Sequence, residues 1–254
     1  MRLTLATQLL LLAIAVNAES FTVDGIRYHQ AGNPAAPLVF LLHGTPGSSR
    51  AFTHLLAHPR LGAERHLIAV DRPGFGESAN RPLTPDFASQ LPLLDAALER
   101  NSSRLKAVVV GHSLGGSIAY RFATDRPDEV GGLVIVSSSL SPKLGKPRWY
   151  NRLAVIPGVR YVVPGTLMQA NDEMMPLSRE LKKIEPALGS IEMPVTIIHG
   201  GKDKLVSPKN LEFARERLSA AVLKIVLEPD EGHFLLWDKP QVVVDAIVGI
   251  KPGR

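Results

Sequence analysis

The chain has 254 residues, 45% of them hydrophobic and 21% charged, which fits one large α/β domain or two small ones and excludes a disordered or low-complexity chain. Its net charge of +5 is dispersed, with no Lys/Arg block to track phosphates, so nucleic acid is not an expected partner. Cysteine is absent, which removes a thiol nucleophile, Cys-ligated zinc and iron–sulfur clusters.

The first eighteen residues have the layout of a secretory signal peptide. Arg2 follows Met1, Leu9 to Val16 form a short apolar core, and Val16-Asn17-Ala18 offers small residues for cleavage after Ala18. The apolar run is short for a membrane span. The expectation is an exported protein, periplasmic or secreted, with no stable membrane span once the leader is removed. An uncleaved signal anchor tethering the chain to a membrane is the alternative.

Strand-like and helix-like runs then alternate. Phe21–Val23 and Ile26–His29 flank Asp24-Gly25, a hairpin signal. Leu38–Leu42 is continuously apolar, as a strand buried on both faces should be. A helix is expected over 49–57, a strand over His66–Val70, a helix over 86–100, a strand over Leu105–Val110 and a helix over 114–124. Val130–Val136 and Val195–Ile198 read as buried strands, 208–218 as a helix, Val222–Leu227 as a strand and 240–250 as a last helix. A hairpin followed by repeated β-α units predicts a mostly parallel sheet with helices on both faces. About 140–192 the alternation stops, yet Trp149, Tyr150, Leu153, Val155 and Ile156 make that stretch too apolar for a disordered linker, so a short helical cap insertion is expected there.

The chemistry centres on Gly111-His112-Ser113-Leu114-Gly115. This G-x-S-x-G stands between an apolar strand and a helix, the setting of a nucleophile elbow. A serine hydroxyl needs a base to take its proton. Of the eight histidines, His233 follows the last strand, in a loop that opens at the same sheet edge as Ser113. The base needs an acid to fix its tautomer, and Asp203 lies just after a strand at that edge. Asp230, three residues before His233, is the rival acid and better placed to shape a turn; Asp71 precedes the serine and reads as structural. Oxyanion donors are expected from the backbone N–H of Leu114 and of Thr45, in the turn His43-Gly44-Thr45-Pro46-Gly47.

These segments together, with Asp71-Arg72-Pro73-Gly74-Phe75-Gly76-Glu77-Ser78, Gly201-Lys202-Asp203 and Gly232-His233, resemble the α/β-hydrolase superfamily in its serine-nucleophile branch. The likeness runs from about residue 21 to 250. It implies an α/β-hydrolase fold with a short cap, Ser113, Asp203 and His233 as catalytic residues, and the Asp71–Ser78 segment as a structural turn that leaves Asp71 and Arg72 outside the catalytic set. The resemblance implies no metal and no organic cofactor. Within the superfamily, haloalkane dehalogenases and epoxide hydrolases, which use an aspartate nucleophile, are disfavoured by Ser113. Prolyl aminopeptidases usually carry other residues where Thr45 and Leu114 stand. C–C bond hydrolases share the elbow but are generally cytosolic and longer-capped, and cofactor-free perhydrolases stay open.

The reading reached is a hydrolase of small-molecule carboxylic esters working through an acyl-Ser113 intermediate, with Trp149, Tyr150, Leu167 and Met168 as candidates to line the substrate pocket. The alternative from another class is a non-catalytic or slow-turnover binding protein on the same fold.

Overall fold

A computed structural model of the chain describes residues 19–147, 149–154, 156, 158 and 163–253. The leader expected at residues 1–18 lies outside the described residues. Among the described residues no helix is long and apolar enough to cross a membrane.

Eight strands form one sheet in the order β1-β2-β4-β3-β5-β6-β7-β8. They are β1 (Glu19–Val23), β2 (Ile26–Gly32), β3 (Leu38–Leu42), β4 (His66–Val70), β5 (Ala107–His112), β6 (Val130–Val136), β7 (Pro194–Gly200) and β8 (Val222–Glu228). β1, β2 and β4 pair antiparallel, and every pair from β4 to β8 is parallel. The Asp24-Gly25 turn joins β1 and β2 with both residues at positive φ, as the sequence signal requires.

The α-helices are α1 (Thr53–Leu56), α2 (Pro59–Glu64), α3 (Pro92–Leu98), α4 (Leu114–Asp125), α5 (Trp149–Ala154), α6 (Gly165–Met174), α7 (Leu177–Ile184), α8 (Asn210–Arg217), α9 (Leu235–Asp238) and α10 (Pro240–Gly249). The helix expected over 86–100 is split into a 3₁₀ turn at Ala88–Gln90 and α3. Pro92 has no N–H to bond back along a helix, so the α-helix starts at the proline instead of running through it. Residues 49–57 are likewise a 3₁₀ turn followed by the single turn of α1.

Strand residues alternate between two apolar layers. Leu38, Phe40 and Leu42 join Val109, Leu133 and Ile135 beneath α3 and α4. Val39 and Leu41 join Val108, Val110, Val134 and Val136 beneath α1, α9 and α10. β3 and β5 have all their residues buried, as strands covered on both faces should.

The β6–β7 connection has two parts. Leu177, Leu181 and Ile184 of α7, with Leu188 and Ile191 after it, belong to the same apolar layer as β6 and β7, so this part is the crossover that returns the chain to the start of β7. The part before it is closed at its base: Ser178 Oγ donates to the Pro142 carbonyl at 2.7 Å, and a Cβ on Gly145 would come within 2.8 Å of Leu181 Cδ1 and 3.3 Å of Leu177 Cγ. The insertion expected over 140–192 thus contains an excursion up to α6 and a helix of the main layer.

Candidate active site

β3 leads left to β4, whereas β5 lies on its right, so the chain reverses direction across the sheet between β3 and β5. The carboxyl ends of such strands bracket a crevice. The β3 end carries His43-Gly44-Thr45, and the β5 end carries Ser113. β7 and β8, on the same side, end in the loops that carry Asp203 and His233.

Ser113 sits at φ 53° and ψ −123°, a conformation that a side-chain-bearing residue adopts only when its surroundings enforce it. The enforcement is visible. Ser113 N donates to Val136 O at 2.9 Å, and Gly116 N donates to Ser113 O at 3.0 Å. A Cβ on Gly111 would lie 2.5 Å from the Gly115 backbone, so the turn closes only with glycine there.

The three residues singled out as catalytic candidates meet. Ser113 Oγ is 3.1 Å from His233 Nε2, and His233 Nδ1 is 2.8 Å from Asp203 Oδ2. The other Asp203 oxygen accepts the N–H groups of Leu205 and Val206, both at 2.8 Å. Burial alone would raise the Asp203 pKa, but the bonds from His233, Val206 and Leu205 outweigh it and hold the carboxyl below its ordinary value. An ionised Asp203 can only accept, so Nδ1 carries the imidazole proton and Nε2 presents its lone pair to the serine hydroxyl. Asp230, the rival acid, is on the surface and pairs with Lys202 at 2.8 Å.

His112 supports this arrangement from behind. Its Nε2 donates to the His233 carbonyl at 3.2 Å, and its ring packs edge-on to Trp237 with centroids 5.0 Å apart. Burial, aided by the nearby His233, lowers its pKa to about 4, so it is a neutral strut.

Leu114 opens α4, so its N–H lacks an intrahelical acceptor and stands at the positive end of the helix dipole beside Ser113. Thr45 lies across the crevice and lines the same cavity as Ser113 and His233. Gly44 brings the two together: a Cβ there would meet Ser113 Cβ at 2.8 Å.

Sequence reasoning missed what holds the Thr45 turn. Arg72, wholly buried, donates from Nε to the His43 carbonyl and from Nη2 to the Gly44 carbonyl, both at 3.1 Å. Arg72 N donates to His43 Nε2 at 3.0 Å, which leaves the proton on Nδ1 to bond Gly44 O at 2.7 Å. Burial first, and then the Arg72 charge, push the His43 pKa far down, which fixes this neutral tautomer. Glu173 of α6 faces the same guanidinium at 2.6 and 3.0 Å. Asp71 is structural: its oxygens accept Ser49 N at 2.6 Å and Glu77 N at 2.8 Å.

The cavity beside Ser113 has a volume of about 240 Å³ and is walled by Leu144, Asn151, Met174, Leu177, Leu205 and Val206. Of the four pocket candidates, the side chains of Trp149 and Tyr150 lie outside the described residues. Leu167 is 51% exposed and Met168 is buried, and neither lines this cavity. Met174 does; it shares the helical stripe of Leu167, seven positions on, so the wall belongs to the end of α6 and not its start.

Among the described residues, His29, Asp71 and Glu77 could converge on a metal ion, their ligand atoms lying within 4.8 Å of one another. Asp71 is already occupied by backbone N–H groups and Glu77 pairs with Arg27 at 3.3 Å, so this group serves the turn after β4.

Comparison with known proteins agrees with the fold. A model of the alpha/beta hydrolase family matches residues 39–246. The chain is 26% identical, over 86% of its length, to the dihydrolipoyllysine-residue acetyltransferase component of the acetoin cleaving system of Pseudomonas putida, spanning 64% of that relative. It is also 26% identical to the pimeloyl-[acyl-carrier protein] methyl ester esterase of Neisseria meningitidis, over 79% of this chain and 73% of that one. Among solved structures, the monoacylglycerol lipase of Paleococcus ferrophilus superposes with a TM-score of 0.70 at 20% identity, covering 92% of this chain and 100% of that one.

Proposed function

The chain belongs to the alpha/beta hydrolase family, and from that premise we propose that it is an exported serine hydrolase that cleaves small carboxylic esters. One observation carries the reading: His233 Nε2 stands 3.1 Å from Ser113 Oγ while its Nδ1 is held by Asp203 at 2.8 Å. That is the geometry general-base activation needs. A methyl ester esterase and a lipase among the similar proteins support an ester substrate. Export rests on the leader at residues 1–18.

In this mechanism Ser113 Oγ attacks the ester carbonyl as its proton passes to His233 Nε2. Asp203 stabilises the imidazolium. The carbonyl oxygen, now an alkoxide, takes N–H bonds from Thr45 and Leu114. Collapse breaks the C–O bond, and the alcohol leaves with the proton from His233. A water then gives its proton to Nε2 as it attacks acyl-Ser113; collapse breaks the acyl–Oγ bond, Oγ takes the proton back from Nε2, and the acid is released. Losing one oxyanion donor costs about 3–4 kcal/mol of transition-state stabilisation. The cavity walls, Leu144, Met174 and Leu177 foremost, hold the acyl or alcohol group.

The test is Ser113→Ala against p-nitrophenyl esters, with a fluorophosphonate probe on the unaltered protein. Removal of such a serine costs about 10⁶ in kcat. Rapid labelling of Ser113 and loss of turnover are expected. Activity retained within about tenfold removes the mechanism, and no labelling favours a binding protein.

A further inference from the structure

Glu173 is a carboxylate with 1% exposure, on a helix outside the sheet, facing an arginine with none. A buried ion pair is weak evidence for stability, because desolvation offsets most of its attraction. Its placement therefore calls for another account. Arg72 sends its remaining hydrogen bonds to the carbonyls of His43 and Gly44 and, at 3.4 Å, to Gln90 Oε1. Glu173 is the only carboxylate bonded to it among the described residues.

The Gly44 carbonyl belongs to the same peptide unit as the Thr45 N–H. That peptide is trans, so the two groups point in opposite directions. Arg72 Nη2 and His43 Nδ1 hold the carbonyl from one side, at 3.1 and 2.7 Å. The N–H must then face the other side, where Thr45 and Ser113 line one cavity. Arg72 Nη2 is shared between Gly44 O and Glu173 Oε2, so the carboxylate sets where the guanidinium stands. The neighbour of Glu173, Met174, walls the cavity.

We infer that Glu173, acting through Arg72, orients the Gly44–Thr45 peptide, so that the oxyanion donor is in place only while α6 is seated against the sheet. Glu173 and Arg72 are positioning residues; neither touches the reacting atoms. The inference rests on the serine-hydrolase reading for its catalytic consequence. With α6 displaced, a guanidinium left in a dry pocket without a counter-charge turns toward other acceptors, and the peptide loses its fixed direction. A substrate that seats α6 by filling the cavity beside Met174 thereby completes the site that stabilises its own transition state.

The experiment compares the unaltered protein with Glu173→Gln, Glu173→Asp and Ser113→Ala on p-nitrophenyl acetate, with a trifluoromethyl ketone as the tetrahedral mimic. Amide exchange of the segment 43–48 is followed in parallel. Glu173→Gln should lower kcat tenfold or more with KM within threefold. The trifluoromethyl ketone should weaken by the same factor as kcat/KM, and exchange at 43–48 should quicken. Glu173→Asp, which keeps the charge, should fall between, and it decides the question if Glu173→Gln does not fold. A folded variant with kcat, inhibitor constant and exchange all within twofold of the unaltered protein overturns the inference, as does a rise in KM alone. If Ser113→Ala turns over like the unaltered protein, the hydrolase reading fails separately. The exchange at 43–48 then decides the coupling, and unchanged exchange overturns it.

Discussion

Gly44 and Ser113 stand so close that a Cβ on the first would lie 2.8 Å from the Cβ of the second. The Thr45 turn and Ser113 are thus in van der Waals contact through a residue with no side chain. Gly44→Ala cannot be absorbed by a flexible neighbour, because the next atoms it meets are the His112 carbonyl at 3.2 Å and His112 Nδ1 at 3.4 Å. The turn must withdraw. We expect kcat to fall by about 10²–10³, the usual effect of losing one oxyanion donor, with KM little changed. Steady-state kinetics beside a far-ultraviolet dichroism spectrum checks this; a folded variant with unchanged kcat contradicts it.

Asp203→Asn keeps the shape of the acid but replaces an acceptor-only oxygen pair by an amide. The imidazole then loses the partner that puts its proton on Nδ1. A fall of about 10⁴ in kcat is expected. Steady-state kinetics on the folded variant with p-nitrophenyl acetate checks this; a kcat within about tenfold of the unaltered protein would count against Asp203 as the partner that orients the base.

Stability should also depend on pH through two buried histidines, His66 and His112. Burial lowers the pKa of His66 to about 4, and burial with the nearby His233 lowers that of His112 to about 4. Both lie well below the ordinary imidazole value of 6.5. In that window the unfolded chain binds more protons than the folded one, so stability is complete above pH 6.5 and declines as pH drops toward 4. Each imidazole accounts for on the order of 3 kcal/mol over that range. Urea midpoints at pH 7.5, 6.0 and 4.5 measure it. His66→Gln, which keeps an acceptor for Asn101, should flatten the decline.

Met174 offers a specificity test. Its side chain walls a cavity of about 240 Å³. Met174→Trp should fill part of that volume, raising KM for longer acyl esters while leaving p-nitrophenyl acetate within about threefold, since one or two methylenes in an apolar pocket change binding by about 1–3 kcal/mol. An acyl-chain series on the variant decides it; identical profiles would place the acyl group elsewhere.

The middle of the sheet was readable because β3, β4, β5 and β6 carry near-continuous apolar runs, and strands buried on both faces need nothing more specific. The Ser113, Asp203 and His233 positions were readable because each follows a strand at one sheet edge, so topology brings together residues as far apart as 113 and 233. Arg72 and Glu173 were not. Buried ion pairs leave no local period, and nothing in the sequence around Glu173 distinguishes it from the solvated acids of other helices. The pocket wall was misplaced along α6 for a related reason. Leu167 and Met174 share a stripe, and only the tertiary seating of the helix says which end of that stripe meets Ser113.

The closure of the excursion by Ser178 on Pro142 and by Gly145 on Leu177 and Leu181 has a consequence for how this chain can change. A segment pinned at its base can be lengthened, shortened or exchanged without moving the strand ends beneath it. Its closure entropy grows only by about 0.6 kcal/mol for each doubling of length. Substrate range can therefore drift by replacing a detachable module while the hydrolytic machinery below stays untouched. The one demand on any replacement is a carboxylate that reaches Arg72.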